Sequence, residues 1–167
     1  MSSTTGRENQ TEAFTIRRYD PSDANRVWDI HKRAIQASPL EFVSNPQFDE
    51  DLRNVTEFYL DTGGEFLVGC LDGRVIATGG IEPIDSRAVE LQRLRVLPEH
   101  QQNGYGTSLL HRLEQSASAQ GFERIQLHTD DVLTVAQQIY ESRGYEETKR
   151  EPHPTIDGQV IYYRKSI

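Results

Sequence analysis

Apolar and polar residues alternate along FTIRRY (14–19), the two-residue period of a half-buried strand, and Asp20-Pro21 ends the run. Beyond it Val27, Ile30, Ala34 and Ile35 recur on one helical face, behind helix-start chemistry from Pro21 and Asp23. Residues 36–47 read as loop. The three- and four-residue spacing of Phe48, Leu52, Val55, Phe58 and Tyr59 predicts a second helix over 48–60, with Asp49, Glu50 and Asp51 as solvated charge on its outer face. Gly63-Gly64 stops that helix. The apolar runs 65–70 and 74–83 flank Leu71-Asp72-Gly73, a hairpin signal because the tight turn needs positive φ.

Strand-like alternation returns in AVELQRLRV (88–96), and Pro98 ends it. A helix of about four turns follows, with Leu109, Leu110 and Leu113 inward, then a strand at 124–130 and a helix at 134–143 that stops at Gly144. The tail closes as a hairpin around Asp157-Gly158. The order β-α-α-β-β-β-α-β-α-β-β is neither a pure βα alternation nor an all-β pattern. It predicts an α/β (α+β) domain with a mixed central sheet flanked by helices.

A chain of 167 residues is one domain, expected over 13–167 behind a disordered polar tail at 1–12. No apolar run approaches the roughly 20 residues that span a bilayer, so no membrane partner is expected. The formal net charge of −8 argues against nucleic acid, whose phosphates need a basic footprint. Arginine dominates the basic side chains, with Lys32, Lys149 and Lys165 the only lysines, a balance that would suit a high-salt cytoplasm. Cys70 is the single cysteine, which leaves no internal disulfide, fits a reducing cytoplasm and reads as a small buried strand residue. His100, His111 and His128 show no metal-ligand spacing and read as surface or satisfied histidines, and no metal is expected.

One stretch demands a chemical reason. In HQQNGYGTSLLHRLE (100–114), Gly104 and Gly106 stand just ahead of a helical pattern, where they cost stability unless something approaches the backbone. A glycine-rich bend feeding a helix aims N–H groups and the positive end of the helix dipole at one point, an anion site; a plain structural turn explains the glycines equally well. The dinucleotide fingerprint fails for want of a third glycine, and the phosphate loop of nucleotide hydrolases for want of its Lys-Ser/Thr pair.

Strand AVELQRLRV, then QQNGYG (101–106) opening a helix, then a strand and AQQIYESRGY (136–145), resembles the GNAT superfamily of acetyl-CoA-dependent N-acetyltransferases. The resemblance rests on Gln101, Gly104 and Gly106, which match the family's Gln/Arg-x-x-Gly-x-Gly/Ala loop, and on the helix ending Tyr-x-x-x-Gly-Tyr. It implies a GNAT-like, largely antiparallel sheet and acetyl-CoA as donor. It also implies that main-chain N–H groups of Gln101, Gln102, Asn103, Gly104, Tyr105, Gly106 and Thr107 cradle the pyrophosphate, and that Leu94, Arg95 and Val96 pair with the pantetheine amides. Glu90, eleven residues before Gln101, matches a general-base glutamate, and Tyr140 the tyrosine that protonates the departing thiolate. Glu90, Gln92, Leu94 and Val96 are expected on one face of the strand. The asparagine common seven residues before the tyrosine is Leu133 here, for which Thr134 or Asp131 could substitute. Gly79-Gly80 reads as a bulge. The acceptor implied is a primary amine of a small molecule or peptide, bound by residues 36–47 and the hairpin at 151–159. A non-catalytic acyl-CoA-binding module, and a homodimer or larger assembly, stay open.

Overall fold

The computed structural model describes residues 13–40 and 48–167. The expected tail at 1–12 and part of the expected loop, 41–47, lie outside the described residues. Strands β1 (Phe14–Arg18), β2 (Glu65–Leu71), β3 (Arg74–Pro83), β4 (Ala88–Val96), β5 (Arg124–Asp130), β6 (Glu146–Pro152) and β7 (Gln159–Ser166) form one sheet in the order β1-β2-β3-β4-β5-β7-β6. Helices α1 (Ala24–Gln36), α2 (Glu50–Arg53), α3 (Tyr105–Ala119) and α4 (Thr134–Ser142) cover it. β4 and β5 run parallel, while every other neighbouring pair is antiparallel. The element order and the mixed, mostly antiparallel sheet are those expected. Among the described residues, no helix is long and apolar enough to cross a membrane.

The second helix departs from expectation. Instead of one helix over 48–60, α2 makes a single turn, breaks at Asn54 (φ −137°, ψ 49°) and resumes as a wide turn over Thr56–Leu60, where the Asp61 N–H bonds the Thr56 carbonyl at 2.8 Å. The break brings Asp51 and Tyr59 together, so that the Tyr59 hydroxyl donates to Asp51 Oδ2 at 2.5 Å in the protein interior. Leu52, Val55 and Tyr59 are buried as their spacing suggests, but Phe48 is 74% exposed. Asp49 and Asp51, expected in solvent, are buried.

The core lies on both faces of the sheet. Leu109, Leu110 and Leu113 of α3 are fully buried, as are Phe66, Ile76 and Ile81 of β2 and β3. Gly79 and Gly80 sit back to back between the two layers: a Cβ on Gly79 would lie 2.9 Å from Leu113, and one on Gly80 2.7 Å from Phe66. Each is closer than real Cβ contacts, so neighbouring side chains would have to shift, and glycine here permits close packing. The irregularity itself belongs to the facing strand. Thr78 pairs with Arg95 and Gly80 with Gln92, leaving Arg93 and Leu94 opposite Gly79, a bulge with Arg93 at φ 59°. The extra residue reverses the side-chain alternation. Glu90 and Gln92 consequently share the face of Tyr59, to which Gln92 is bonded at 3.4 Å, whereas Leu94 and Val96 face α3. The expectation of one common face is corrected by that single residue.

Candidate active site

Parallel pairing between β4 and β5 stops at Glu90 and Gln126. Past that point the strands part, and the gap opens into a cavity of about 540 Å³. Its walls are the end of β4 (Leu94, Arg95, Val96), the loop and first turn of α3, residues 132–136 with Ile139 and Tyr140 of α4, and the end of α1 with Ser38 and Pro39. Because the Leu97 N–H bonds Ile76 across β3 at 2.9 Å, alternation turns the main-chain groups of Leu94 and Val96 away from β3, into the gap. The Val96 carbonyl accepts from the Gln101 side chain at 3.0 Å and the Leu94 carbonyl from Arg95 Nη1 at 3.1 Å. Among the described residues, Ala37, Ser38 and Pro39 of the expected acceptor loop line this cavity, whereas the hairpin at 151–159, also expected to bind the acceptor, is not part of its lining.

The glycine loop has a specific shape. Gln102 (φ 63°) and Gly104 (φ 81°) are both left-handed, so successive N–H groups turn toward one concavity, and Asn103 Nδ2 ties the loop to the carbonyls of His100 and Gln101. The first helical bond runs from the Ser108 N–H to the Gly104 carbonyl at 3.0 Å, so Tyr105, Gly106 and Thr107 keep the unsatisfied donors of a helix start. The Gln101 N–H, expected in the cradle, instead bonds Pro98 at 3.4 Å. Tyr105 stacks on Phe14 at 4.4 Å and anchors that turn to the sheet. A Cβ on Gly104 would meet nothing within 4 Å, so this glycine serves the backbone conformation and an open approach rather than packing.

Two carboxylates face each other where the gap begins. Glu82 and Glu90 are cross-strand partners, and Gln92 Nε2 donates to Glu82 at 2.9 Å. Burial, then the charges of Glu90 and Asp51, push the Glu82 pKa up. His128 of β5, read from sequence as a surface or satisfied histidine, is half exposed and places Nε2 3.5 Å from Glu90 Oε1. The carboxylate raises the imidazole's pKa against the opposing effect of burial. Tyr140 lies in the cavity wall, 8% exposed, against the rings of Tyr145 and Tyr163. Burial raises its pKa and the Arg95 charge partly offsets that, so the phenol holds its proton at neutral pH.

Beside these groups lies a buried polar network that sequence reasoning missed. Arg93, aimed by the bulge, donates to both Asp51 oxygens at 2.7 and 3.0 Å and to the Phe48 carbonyl at 2.6 Å, with Asp49 3.8 Å away. Burial opposes the Asp51 charge, but the Arg93 bonds outweigh it and hold its carboxyl below the usual range. His31 of α1 is pulled down to about 3 by burial and by the charges of Arg95 and Arg93, although Asp49 stands 3.6 Å from its Nε2. Left-handed backbone at a non-glycine residue costs roughly 1–2 kcal/mol. The fork of bonds from Arg93 to Asp51 offsets that cost and fixes the bulge at the mouth of the gap.

Residues 26–145 match the Acetyltransferase (GNAT) family. The probable N-acetyltransferase camello of Xenopus tropicalis is 29% identical over 126 residues, 71% of this chain and 58% of that protein. The chain thus spans little more than half of that relative's length. A GNAT-family acetyltransferase from Staphylococcus aureus Mu50 superposes with a TM-score of 0.80 at 24% identity, over 92% of this chain and 99% of that one. YncA of Salmonella typhimurium, described as a putative acetyltransferase with its cofactor acetyl-CoA, gives 0.77 at 21% identity, over 92% and 94%. In fold and in sequence, the chain belongs to the GNAT acetyltransferase family.

Proposed function

We propose that the protein is an acetyl-CoA-dependent N-acetyltransferase, moving the acetyl group directly to a primary amine of a small molecule or peptide within a ternary complex. The observation that carries this reading is the parting of β4 and β5 beyond Glu90, which opens a cavity running from an open helix start to Tyr140, with Glu90, beside His128, on the last paired residue of β4. The walls suit the donor: Leu94 and Val96 offer main-chain groups to a strand-like chain of amides, and the left-handed bend at Gln102 and Gly104 offers N–H donors to a diphosphate.

Acetyl-CoA supplies, when bound, an activated thioester whose carbon accepts the amine and whose sulfur departs as thiolate. Glu90 takes the proton that the amine must lose, directly or through water, and His128 beside it relays that proton to solvent. Tyr140, kept neutral by burial, gives its proton to the thiolate and recovers one from water. One N–C bond forms as one C–S bond breaks, and no covalent acyl-enzyme is needed. Incubation with acetyl-CoA and a panel of polyamines, aminoglycosides, amino acids and peptides tests the reading by mass spectrometry. N-acetylated product in step with free CoA supports it. Tight acetyl-CoA binding with no product from any amine would make the protein a binding module.

A further inference from the structure

Two arginines follow the bulge closely and have opposite surroundings. Arg93 is saturated by Asp51 and the Phe48 carbonyl. Arg95, on the same side of the sheet, lines the cavity with Tyr140 and the end of α1; its Nη1 reaches only the neighbouring Leu94 carbonyl, at 3.1 Å, and its buried Nε has no hydrogen-bond partner. Among the described residues no carboxylate lies within ion-pair distance of it. In a chain with 26 acidic and 18 basic side chains several arginines find acids, Arg17 with Asp23, Arg18 with Glu65, Arg33 with Glu99 and Arg143 with Glu114, whereas Arg95 does not although it lines the cavity.

An arginine cannot shed its proton, so an enclosed and unpaired guanidinium is a standing cost to the fold. An apolar side chain of similar length would remove that cost, which makes the arginine explicable by what enters the cavity. The planar fork of donors matches a carboxylate. The diphosphate has its own donors at the start of α3, whereas Arg95 lines the cavity with Tyr140, at the inner end, within reach of the Arg93 and Asp130 charges. An acetyl donor carries no carboxylate of its own.

We infer that Arg95 receives a carboxylate carried by the acceptor, and that the acceptor class is the free α-amino acid, its amine directed toward Glu90 and its carboxylate held by the guanidinium. This inference rests on the acetyl-transfer reading of the same cavity. One charged, two-pronged contact is worth roughly ten- to a hundredfold in selectivity.

The test compares α-amino acids with the amines left by removing their carboxyl group: leucine with isoamylamine, phenylalanine with phenethylamine, methionine with 3-methylthiopropylamine. Wild-type kcat/KM is expected to favour the amino acid by at least tenfold. In Arg95→Met the ratio should fall to within about threefold of unity, and Arg95→Lys should keep part of it. Calorimetry of the same pairs on the CoA-loaded protein should show the same loss of amino-acid preference without turnover, so failure of acetyl transfer and failure of this inference are separable. Arg95→Met should also raise the Tm of the free protein, which checks that the variant folds. Equal use of both members of each pair by the wild type, or a preference that survives in Arg95→Met, overturns the inference. So does weaker CoA binding by Arg95→Met without acceptor, which would assign the guanidinium to the cofactor's phosphates, or a wild-type preference for succinyl-CoA over acetyl-CoA, which would assign it to the acyl group.

Discussion

Gly104 and Gly106 offer a paired test of the loop, one substitution that should lose the cofactor and one that should keep it. Gly104 precedes α3 at φ 81°, and a methyl group there would meet nothing within 4 Å. Gly104→Ala therefore costs backbone strain alone, about 1–2 kcal/mol, or roughly 3–6 °C in Tm for a domain of this size. Gly106 lies inside the helix without positive φ, and its Cβ would touch Val96 Cγ2 at 3.5 Å, an ordinary contact. Alanine is a better helix former than glycine by about 0.8–1 kcal/mol, so Gly106→Ala should leave the free protein as stable or slightly more so. Both residues line the cavity at the proposed diphosphate cradle, but the Gly106 Cβ would lie against Val96, and alanine at that position falls within the family's loop pattern, so Gly106→Ala should keep CoA affinity within about twofold of wild type. Gly104→Ala disturbs the left-handed bend that aims the N–H donors, and its CoA affinity by calorimetry should drop at least tenfold, about 1.4 kcal/mol. A folded Gly104→Ala protein that binds CoA within twofold of wild type would refute the cradle.

Three further outcomes follow from the same geometry. Glu90→Gln should lower kcat/KM most at low pH and recover partly as free amine accumulates; because the Glu90 carboxylate raises the His128 pKa, NMR titration should show that imidazole releasing its proton at lower pH in the variant. Tyr140→Phe should retain acetyl-CoA affinity while single-turnover rates fall roughly ten- to a thousandfold, and wild-type rates across pH 6–9 would make Tyr140 structural. His31, held down to about 3 against an ordinary 6.5, favours the neutral ring in the fold. Its contribution is complete above pH 6.5 and is lost as pH falls toward 3, about 2 kcal/mol by pH 5, so urea unfolding of His31→Gln should show a flatter acid limb than wild type.

Much of this was legible in the chain. Strand alternation and helical spacing are local signals, and the sheet, the glycine loop and the tyrosine helix follow from them. The bulge was legible too, although alternation alone was too coarse to use it: in AVELQRLRV the polar residues Gln92 and Arg93 stand side by side, and the apolar phase of Val89 and Leu91 slips by one before Leu94 and Val96. Asp51 was not, because its burial depends on Arg93, a partner 42 residues away that only the bulge aims at it. The break at Asn54 goes with the Tyr59–Asp51 bond, since an unbroken helix would not bring those two side chains together. His128 was hidden because its role depends on which strand pairs with β4 and where that pairing ends.

The central claim is direct transfer within one ternary complex, and a single-turnover quench experiment with acetyl-labelled CoA tests it most directly. Enzyme in excess is mixed with labelled acetyl-CoA and an accepted amine, and label is followed on protein, on amine and in thiol release. The account predicts that acetyl-amine and free CoA appear together, one for one, with no label on the protein at any time. Label passing first onto the protein, or persisting as bound acetyl-CoA while no amine is acetylated, would contradict it.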